Sequence, residues 1–590
     1  MSKIDLKRLD KILPQVRKPG RYIGHEYIAK TEKKNDAYKF AFCFPDIYDI
    51  GMSYLGLHII YELINKRPDF ICERVFAPWP DMEELMRANK IALYSVESFS
   101  PLNEFDIVGF TLPYQLNYTN ILNMLNLGGI PLKSSGRTWP LVIAGGGGCF
   151  NPEPLYDFFD IFLLGDGEEL VNEILDQYAR CAPIKNVTGK KKLLQQLSAI
   201  SGVYLPSGYE ADYNQEGDFL RLGNIDQAVP QQIHKRVFPD LNSFAYTGCF
   251  PVPYVETVHE RITIEVMRGC INGCRFCEAG FTHRPKRERD VNLILDMAKA
   301  AYKNTGYDEI SLSSLSSTDY SQLNEAVLNL SQCFKDEKIS IALSSLRAED
   351  IASKLPQCLS KLKKTTFTFA PEAATVRLRR IINKNIDIRN LEKAAEVAFQ
   401  YGWRHIKLYF MIGLPGETDA DLEAILNLCI RISNIKKKIN GKAANIIASI
   451  SNFVPKPHTP FQWERMNRQE ELIGKQKFIK HKLHNKNIIL KFHNPAQSII
   501  EAVISRGDRK IARVLETAFK LGAKFDAWDD YFNYDLWHKS FQKNNISISK
   551  YLDKKELKQP LPWEHMLTGV SPVFLEKEYQ MAEEEKRILG

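Results

Sequence analysis

Ile262-Thr263-Ile264-Glu265-Val266-Met267-Arg268-Gly269-Cys270-Ile271-Asn272-Gly273-Cys274-Arg275-Phe276-Cys277 joins an apolar, β-rich run to three thiols within eight residues. The spacing is C-x3-C-x2-C, placed directly after a predicted strand. Gly269 and Gly273 give such a loop the backbone freedom to wrap a compact metal centre. Two metals suit thiolates. Zinc favours four closed ligands, and His283 could complete a Cys3His set. An iron–sulfur cluster also takes thiolates, usually four. No fourth cysteine is near, the closest being Cys249 and Cys333. A cluster held by three thiolates keeps one iron open for a small-molecule ligand.

The surrounding pattern is α/β. After Arg261, apolar-rich strand candidates fall at Ile262–Met267, Glu309–Leu312, Ser340–Leu343, Thr366–Ala370, Ile406–Met411 and Asn445–Ile450, with helical patterns between most of them. Six β/α units in series imply parallel strands with right-handed crossovers, a partial (β/α)6 barrel and not a closed eight-stranded one. Residues 1–180 alternate in the same way. Strand candidates there are Lys39–Phe44, Asp106–Phe110, Leu141–Ala144 and Ile161–Leu164, with helices at Gly56–Asn65 and Tyr118–Leu127. This predicts a doubly wound, Rossmann-like N-terminal domain. Gly145–Gly148 and Gly165-Asp166-Gly167 follow strands, where such folds bind ligands. The first run lacks the GxGxxG dinucleotide pattern and reads equally as a permissive turn. Residues 181–255 are punctuated by Pro, Gly and Lys and read as a connecting segment with little regular structure. The core is expected over 256–490, and a mainly helical, aromatic segment over 491–590.

The chain has 590 residues, 44% hydrophobic and 25% charged, which excludes a disordered or fibrous protein. No stretch is long and apolar enough for a membrane span, and the start lacks the apolar core of a secretory signal. With eleven cysteines, an odd number, the expectation is a soluble, cytoplasmic protein with reduced or metal-bound thiols. Net charge is +8. Between Arg431 and Ile500 there are 14 Lys/Arg against 3 Asp/Glu, a local 14 − 3 = +11. That block reads either as a solvated helix face or as a surface for RNA or another anion. Arg284–Arg289 reads either as an anionic-substrate contact or, with slight preference, as surface ion pairing. Arg347 reads either as a contact to a bound carboxylate or as a structural salt-bridge partner. His283 and His458 read as histidines satisfied by hydrogen bonds.

The cysteine motif, with aromatic Phe276 before its last thiol, resembles the signature of radical S-adenosylmethionine (radical SAM) enzymes. Phe410-Met411-Ile412-Gly413-Leu414-Pro415-Gly416-Glu417 resembles that family's fifth-strand motif near the adenine. Phe369-Ala370-Pro371-Glu372-Ala373-Ala374 resembles its fourth-strand end, with Ala374 where many relatives carry Gly. Ser311-Leu312-Ser313-Ser314 stands at the second-strand end, departing from the common Gly-Gly-Glu. The resemblance implies a 4Fe-4S cluster on Cys270, Cys274 and Cys277. It implies SAM on the open iron, contacted by Phe276, Ser313, Ser314, Glu372, Ile412 and Gly413. It further implies a low-potential electron donor and reductive cleavage of SAM to a 5′-deoxyadenosyl radical, with the substrate unassigned. The N-terminal domain is similar to the cobalamin-binding domain of a large radical SAM branch, as is Val454–Phe461. That domain's axial histidine position holds Tyr48, and His58 is off register, so the resemblance supplies no protein ligand to cobalamin. A methylthiotransferase would add a second cysteine triad in this domain. Cys43, Cys72, Cys149 and Cys181 are scattered in sequence and would have to converge in space. The rival reading is a zinc-stabilised RNA-binding protein without catalysis.

Overall fold

The computed structural model describes residues 4–29, 36–182, 184–246, 250–344, 362 and 366–589. Near the N-terminus, β1 (Tyr38–Phe44), β2 (Phe70–Phe76), β3 (Ile107–Thr111), β4 (Leu141–Gly145), β5 (Ile161–Leu163) and β6 (Val203–Tyr204) form one sheet. Its order is β2-β1-β3-β4-β5-β6, parallel except for β6. This is a doubly wound sheet whose strand order reverses between β1 and β3, where such folds open a ligand crevice. The helices Leu55–Asn65, Tyr118–Leu127 and Gly167–Cys181 cover it with apolar faces.

β2 was not foreseen. Its Phe70-Ile71-Cys72-Glu73-Arg74-Val75-Phe76 is buried throughout, charges included. Arg74 bonds Glu97 at 2.6 Å and Glu26 at 3.0 Å, and the Glu73 carboxylate accepts from Ser95 and Ser98. The stretch expected to lack regular structure holds the helix Val187–Ser198, the hairpin β7 (Tyr209–Tyr213) and β8 (Phe219–Asn224), and β9 (Ile233–His234). The lysines of Val187–Ser198 masked its apolar face, where Leu193 and Leu197 are buried.

In the core, β10 (Ile262–Glu265) is followed by β11 (Met267–Arg268) and β12 (Arg287–Glu288), then β13 (Glu309–Ser313) and β14 (Ser340–Leu343). β15 (Thr366–Glu372), β16 (His405–Ile412), β17 (Asn445–Asn452) and β18 (Ile488–Phe492) continue the series. β10-β13-β14 and β15-β16-β17-β18 are parallel sheets, making seven parallel strands with helices between them. All six predicted strands are present. β18 is a seventh, hidden in the lysine-rich block. The last hundred residues are mainly helical, as expected: Pro495–Ser505, Lys510–Lys520, Tyr534–Lys543, Ile548–Leu552 and Pro572–Leu589, with β19 (Met566–Leu567) pairing β9. A second apolar core, with Phe281, Ala373, Leu414, Phe461, Trp563 and Tyr579, lies beneath the ends of β15 and β16.

Candidate functional site

β11 and β12 pair antiparallel, Met267 opposite Glu288 and Arg268 opposite Arg287, so the cysteine loop is a closed excursion from the sheet. Gly269 opens it at φ +87°, where a Cβ would overlap the Pro285 carbonyl oxygen and come within 2.7 Å of that of His283. Asn272 Nδ2 donates to Cys270 Sγ at 3.4 Å and to Asp319 at 2.9 Å, and Asn383 Nδ2 donates to the Gly273 carbonyl at 2.9 Å. Burial pushes the Cys277 thiol up to about 12, and the neighbouring Cys274 and Cys270 push in the same direction. Among the described residues no three His, Cys, Asp or Glu side chains are drawn together around a single ion. A cubane cluster offers each thiolate its own iron, and a half-buried set of three soft donors fits it.

The other predicted residues divide into two groups. Ser313 and Ser314 close β13. Ser314 N–H donates to Ser344 Oγ at 3.2 Å, and Ser314 Oγ lies 3.1 Å from Ser317 Oγ. Glu372 ends β15 at φ +63°, a left-handed conformation uncommon outside glycine. Burial raises its carboxyl to about 7 against the opposing charge of Lys384, 3.8 Å away. Lys384 also acts on Cys277, which links the fourth-strand end to the cysteine loop. Gly413 follows β16 at φ +81°, and its N–H donates to Glu417, itself paired with Lys475 at 2.6 Å. Ile412 is buried. Phe276 and Met411 each pack against the second core. Sequence reasoning missed Asn383 and Lys384, which carry no motif and act only through the folded loop after the Val376–Ile381 helix.

A cavity of about 550 Å³ separates the C-terminal ends of β1, β3, β4 and β5 from the β10–β13 side of the core. Phe40, Phe110, Gly145 and Gly167 line one wall, and Gly269, His283, Ser313 and Ser314 another. Glu372, Ile412 and Gly413 are not among its walls, so the predicted residues do not all meet in one space. Nor does Tyr48 reach it: that side chain is buried and its hydroxyl donates to Glu26 at 2.8 Å. His458 is satisfied, with Nε2 2.8 Å from the Phe150 carbonyl. His283 faces the cavity instead, and no hydrogen bond to its ring is present among the described residues.

Arg284–Arg289 is neither a solvated run nor an open anion site. Arg287 is buried and donates to Asp166 at 2.5 Å and to the Phe238 carbonyl at 2.7 Å. Arg289 is buried against the carbonyls of Leu241, Phe244 and Glu265. Arg268 joins Asp166, Glu168 and Glu265. Arg287 and Arg268 fasten the strands beside the cysteine loop to Asp166 and Glu168 of the N-terminal domain, and Arg289 ties them to the segment at Leu241–Phe244. Much of the basic block is likewise paired, including Lys456 with Glu501, Lys475 with Glu417 and Arg431 with Glu392. Arg347 lies outside the described residues. No helix among the described residues is long and apolar enough to cross a membrane.

Fold and loop define an α/β protein with an N-terminal doubly wound domain set against a parallel-stranded core that carries a three-thiol loop. Residues 264–429 match the radical SAM superfamily, and residues 56–206 match the N-terminal domain of radical SAM proteins. The chain carries both domains and is an enzyme of the radical SAM superfamily. That membership sets aside the non-catalytic zinc reading. An uncharacterised protein of Methanocaldococcus jannaschii is 25% identical over 81% of this chain and 90% of its own. The tRNA-2-methylthio-N(6)-dimethylallyladenosine synthase of Syntrophomonas wolfei is 22% identical over 36% of this chain and 50% of its own. Among solved structures, the radical SAM methyltransferase TsrM from Kitasatospora setae, with cobalamin and a [4Fe-4S] cluster bound, is 12% identical. That likeness covers 86% of this chain and 100% of the other, with a TM-score of 0.48.

Proposed function

We propose that Cys270, Cys274 and Cys277 hold a 4Fe-4S cluster whose open iron takes SAM, with Ser313 and Ser314 contacting SAM from the cavity wall and Phe276, Glu372, Ile412 and Gly413 contacting it from outside that cavity. Such a cluster, once bound and reduced, would supply the one electron needed to cleave SAM to methionine and a 5′-deoxyadenosyl radical for hydrogen abstraction. The observation that carries this reading is the closed loop of three half-buried thiols in a radical SAM domain, bordering a cavity of about 550 Å³. In that arrangement Asn272 and Asn383 fix the loop, Ser313 and Ser314 present hydroxyls, and the apolar wall excludes water from a reactive carbon centre. The reading includes no protein ligand to cobalamin, because Tyr48 is engaged with Glu26.

An anionic substrate, RNA among the options, is part of the proposal. Lys436, Lys437, Lys438 and Lys442 lie at the basic end of the Asp419–Asn440 helix and just beyond it. The Syntrophomonas relative is named for a tRNA product.

Anaerobic purification, iron analysis and reduction with dithionite in the presence of SAM test the assignment. The expected result is a brown protein with about four irons that releases 5′-deoxyadenosine, both lost in Cys277→Ser. A colourless protein without iron would overturn it. The same visible spectrum reports any bound cobalamin.

A further inference from the structure

Arg275 stands between the second and third cysteines of the loop, yet its side chain turns away from them into the protein. Only 3% of that side chain is exposed. Its Nη1 donates to the Ile381 carbonyl at 2.8 Å and to Glu585 at 2.9 Å, and its Nε donates to Glu578 at 3.1 Å. Its backbone is held as well: the Arg275 N–H donates to the Ile382 carbonyl at 3.0 Å, and its carbonyl accepts from Phe461 at 3.2 Å. Both carboxylates come from the Pro572–Leu589 helix, some three hundred positions away in sequence. That helix buries Leu575, Tyr579 and Ala582 in the core shared by Phe281 behind the cysteine loop and Leu414 behind β16. It also sends Lys586 against Gly416 and onto Glu464 at 2.5 Å.

We infer that the Pro572–Leu589 helix is a clamp on the cysteine loop, acting through Arg275 as a positioning residue, and that Glu578 and Glu585 set the charge beside the cluster. This rests on the cluster assignment above. A buried guanidinium gripped by carboxylates and carbonyls fixes the backbone between two ligands far more firmly than a solvated side chain could. It also places a positive charge near the metal centre. Positive charge favours the reduced cluster and raises its potential, whereas reductive SAM cleavage needs a low one. The two carboxylates more than cancel that charge, leaving this group of side chains at −1. The helix therefore holds the loop in shape and keeps the centre strongly reducing.

The test is made on the full chain, reconstituted anaerobically, comparing wild type with Glu578→Gln/Glu585→Gln and with Arg275→Lys. The measurements are midpoint potential, by redox titration followed by electron paramagnetic resonance, and the rate of iron release to a chelator. The double variant is expected to show a more positive potential and faster release, with its far-ultraviolet dichroism unchanged. Arg275→Lys keeps the charge but loses the planar fork, so release quickens while the potential moves less. If the double variant fails to fold, Glu585→Gln alone answers the same question. Wild-type potential and wild-type release in the carboxamide variants would overturn the clamp while leaving the cluster assignment standing. Absence of a cluster in the wild type would overturn both.

Discussion

At Gly269 the backbone sits at φ +87° with the Pro285 and His283 carbonyls packed against the position a Cβ would take. Gly269→Ala therefore meets both an unfavourable conformation and a steric overlap, and the loop must shift. Strain of this kind costs about 1–3 kcal/mol per residue. Because it is local, the expected outcome is a folded protein that retains less iron after reconstitution, read by iron analysis beside a urea unfolding curve. Glu372 is the other residue whose environment makes a sharp prediction. Burial raises its carboxyl from 4.5 to about 7, despite Lys384. In the folded protein the proton is held more tightly, so this group opposes folding progressively between pH 4.5 and 7 and fully above that. Its ionised form, the one able to accept hydrogen bonds from SAM, fills over the same rise. SAM affinity is expected to increase about tenfold from pH 6 to pH 8. Glu372→Gln is expected to bind more weakly with a flat profile, checked by equilibrium binding to the reconstituted protein. A flat wild-type profile would remove Glu372 from the SAM contacts.

Among the elements, the two-residue strands β11 and β12 couple most to their surroundings, because every arginine on them is anchored elsewhere. Arg287 is buried between Asp166, which immediately precedes the Gly167–Cys181 helix, and the Phe238 and His283 carbonyls. Removing Arg287 leaves Asp166 with Arg268, 3.2 Å away, as its remaining cation, so the cost is expected to fall below the about 3–5 kcal/mol of a fully stranded buried charge. Arg287→Ala should lower the urea midpoint accordingly. If it does not, the loop's anchorage to the N-terminal domain is weaker than the contacts indicate. These anchors also show what the sequence could reveal. Short apolar runs marked β1, β3, β4, β5 and the six predicted core strands from β10 to β17, because parallel strands buried on both faces are continuously apolar. β2 escaped notice because Glu73 and Arg74 interrupt the run, and only their partners at Glu26, Glu97, Ser95 and Ser98 make them tolerable inside. β18 escaped because Lys491 and the lysines before it read as surface. The cysteine spacing disclosed the loop. Arg275, Asn383 and Lys384 could not be found this way, since their roles depend on partners that only folding brings near.

Over the whole molecule, the N-terminal domain and the helices that follow the core are joined by buried polar contacts, which makes stability a matter of pH. Glu153, fully buried, receives Arg509 at 2.7 Å and the Tyr204 hydroxyl at 2.6 Å, with His565 3.3 Å away. Burial alone would raise this carboxyl; Arg509, His565 and Tyr204 outweigh it and hold it down to about 2. Its contribution is therefore complete above pH 4.5 and disappears as pH falls toward 2. His458, buried under the Phe150 carbonyl, is driven down from 6.5 to about 4 by burial. Folding keeps it neutral, so the unfolded chain binds the extra proton and stability drains away as pH falls from 6.5 to 4. That shift corresponds to about 3 kcal/mol. His58 sits in the same range for the same reason, lowered to about 4. The two histidines should accordingly weaken the fold as pH falls from 6.5 to 4, partly offset by Glu372, and Glu153 should add a further loss below 4.5 as it protonates. Urea midpoints measured from pH 4 to 8 trace the histidine contribution, and His458→Asn should reduce it. Glu153→Gln strands Arg509, so it should lower stability at pH 7 and abolish the additional loss below 4.5. Because Glu372, raised to about 7, adds stability over the same fall in pH, the histidine contribution is read as the difference between wild type and His458→Asn; identical profiles for the two would mean that solvent reaches His458 in the folded protein.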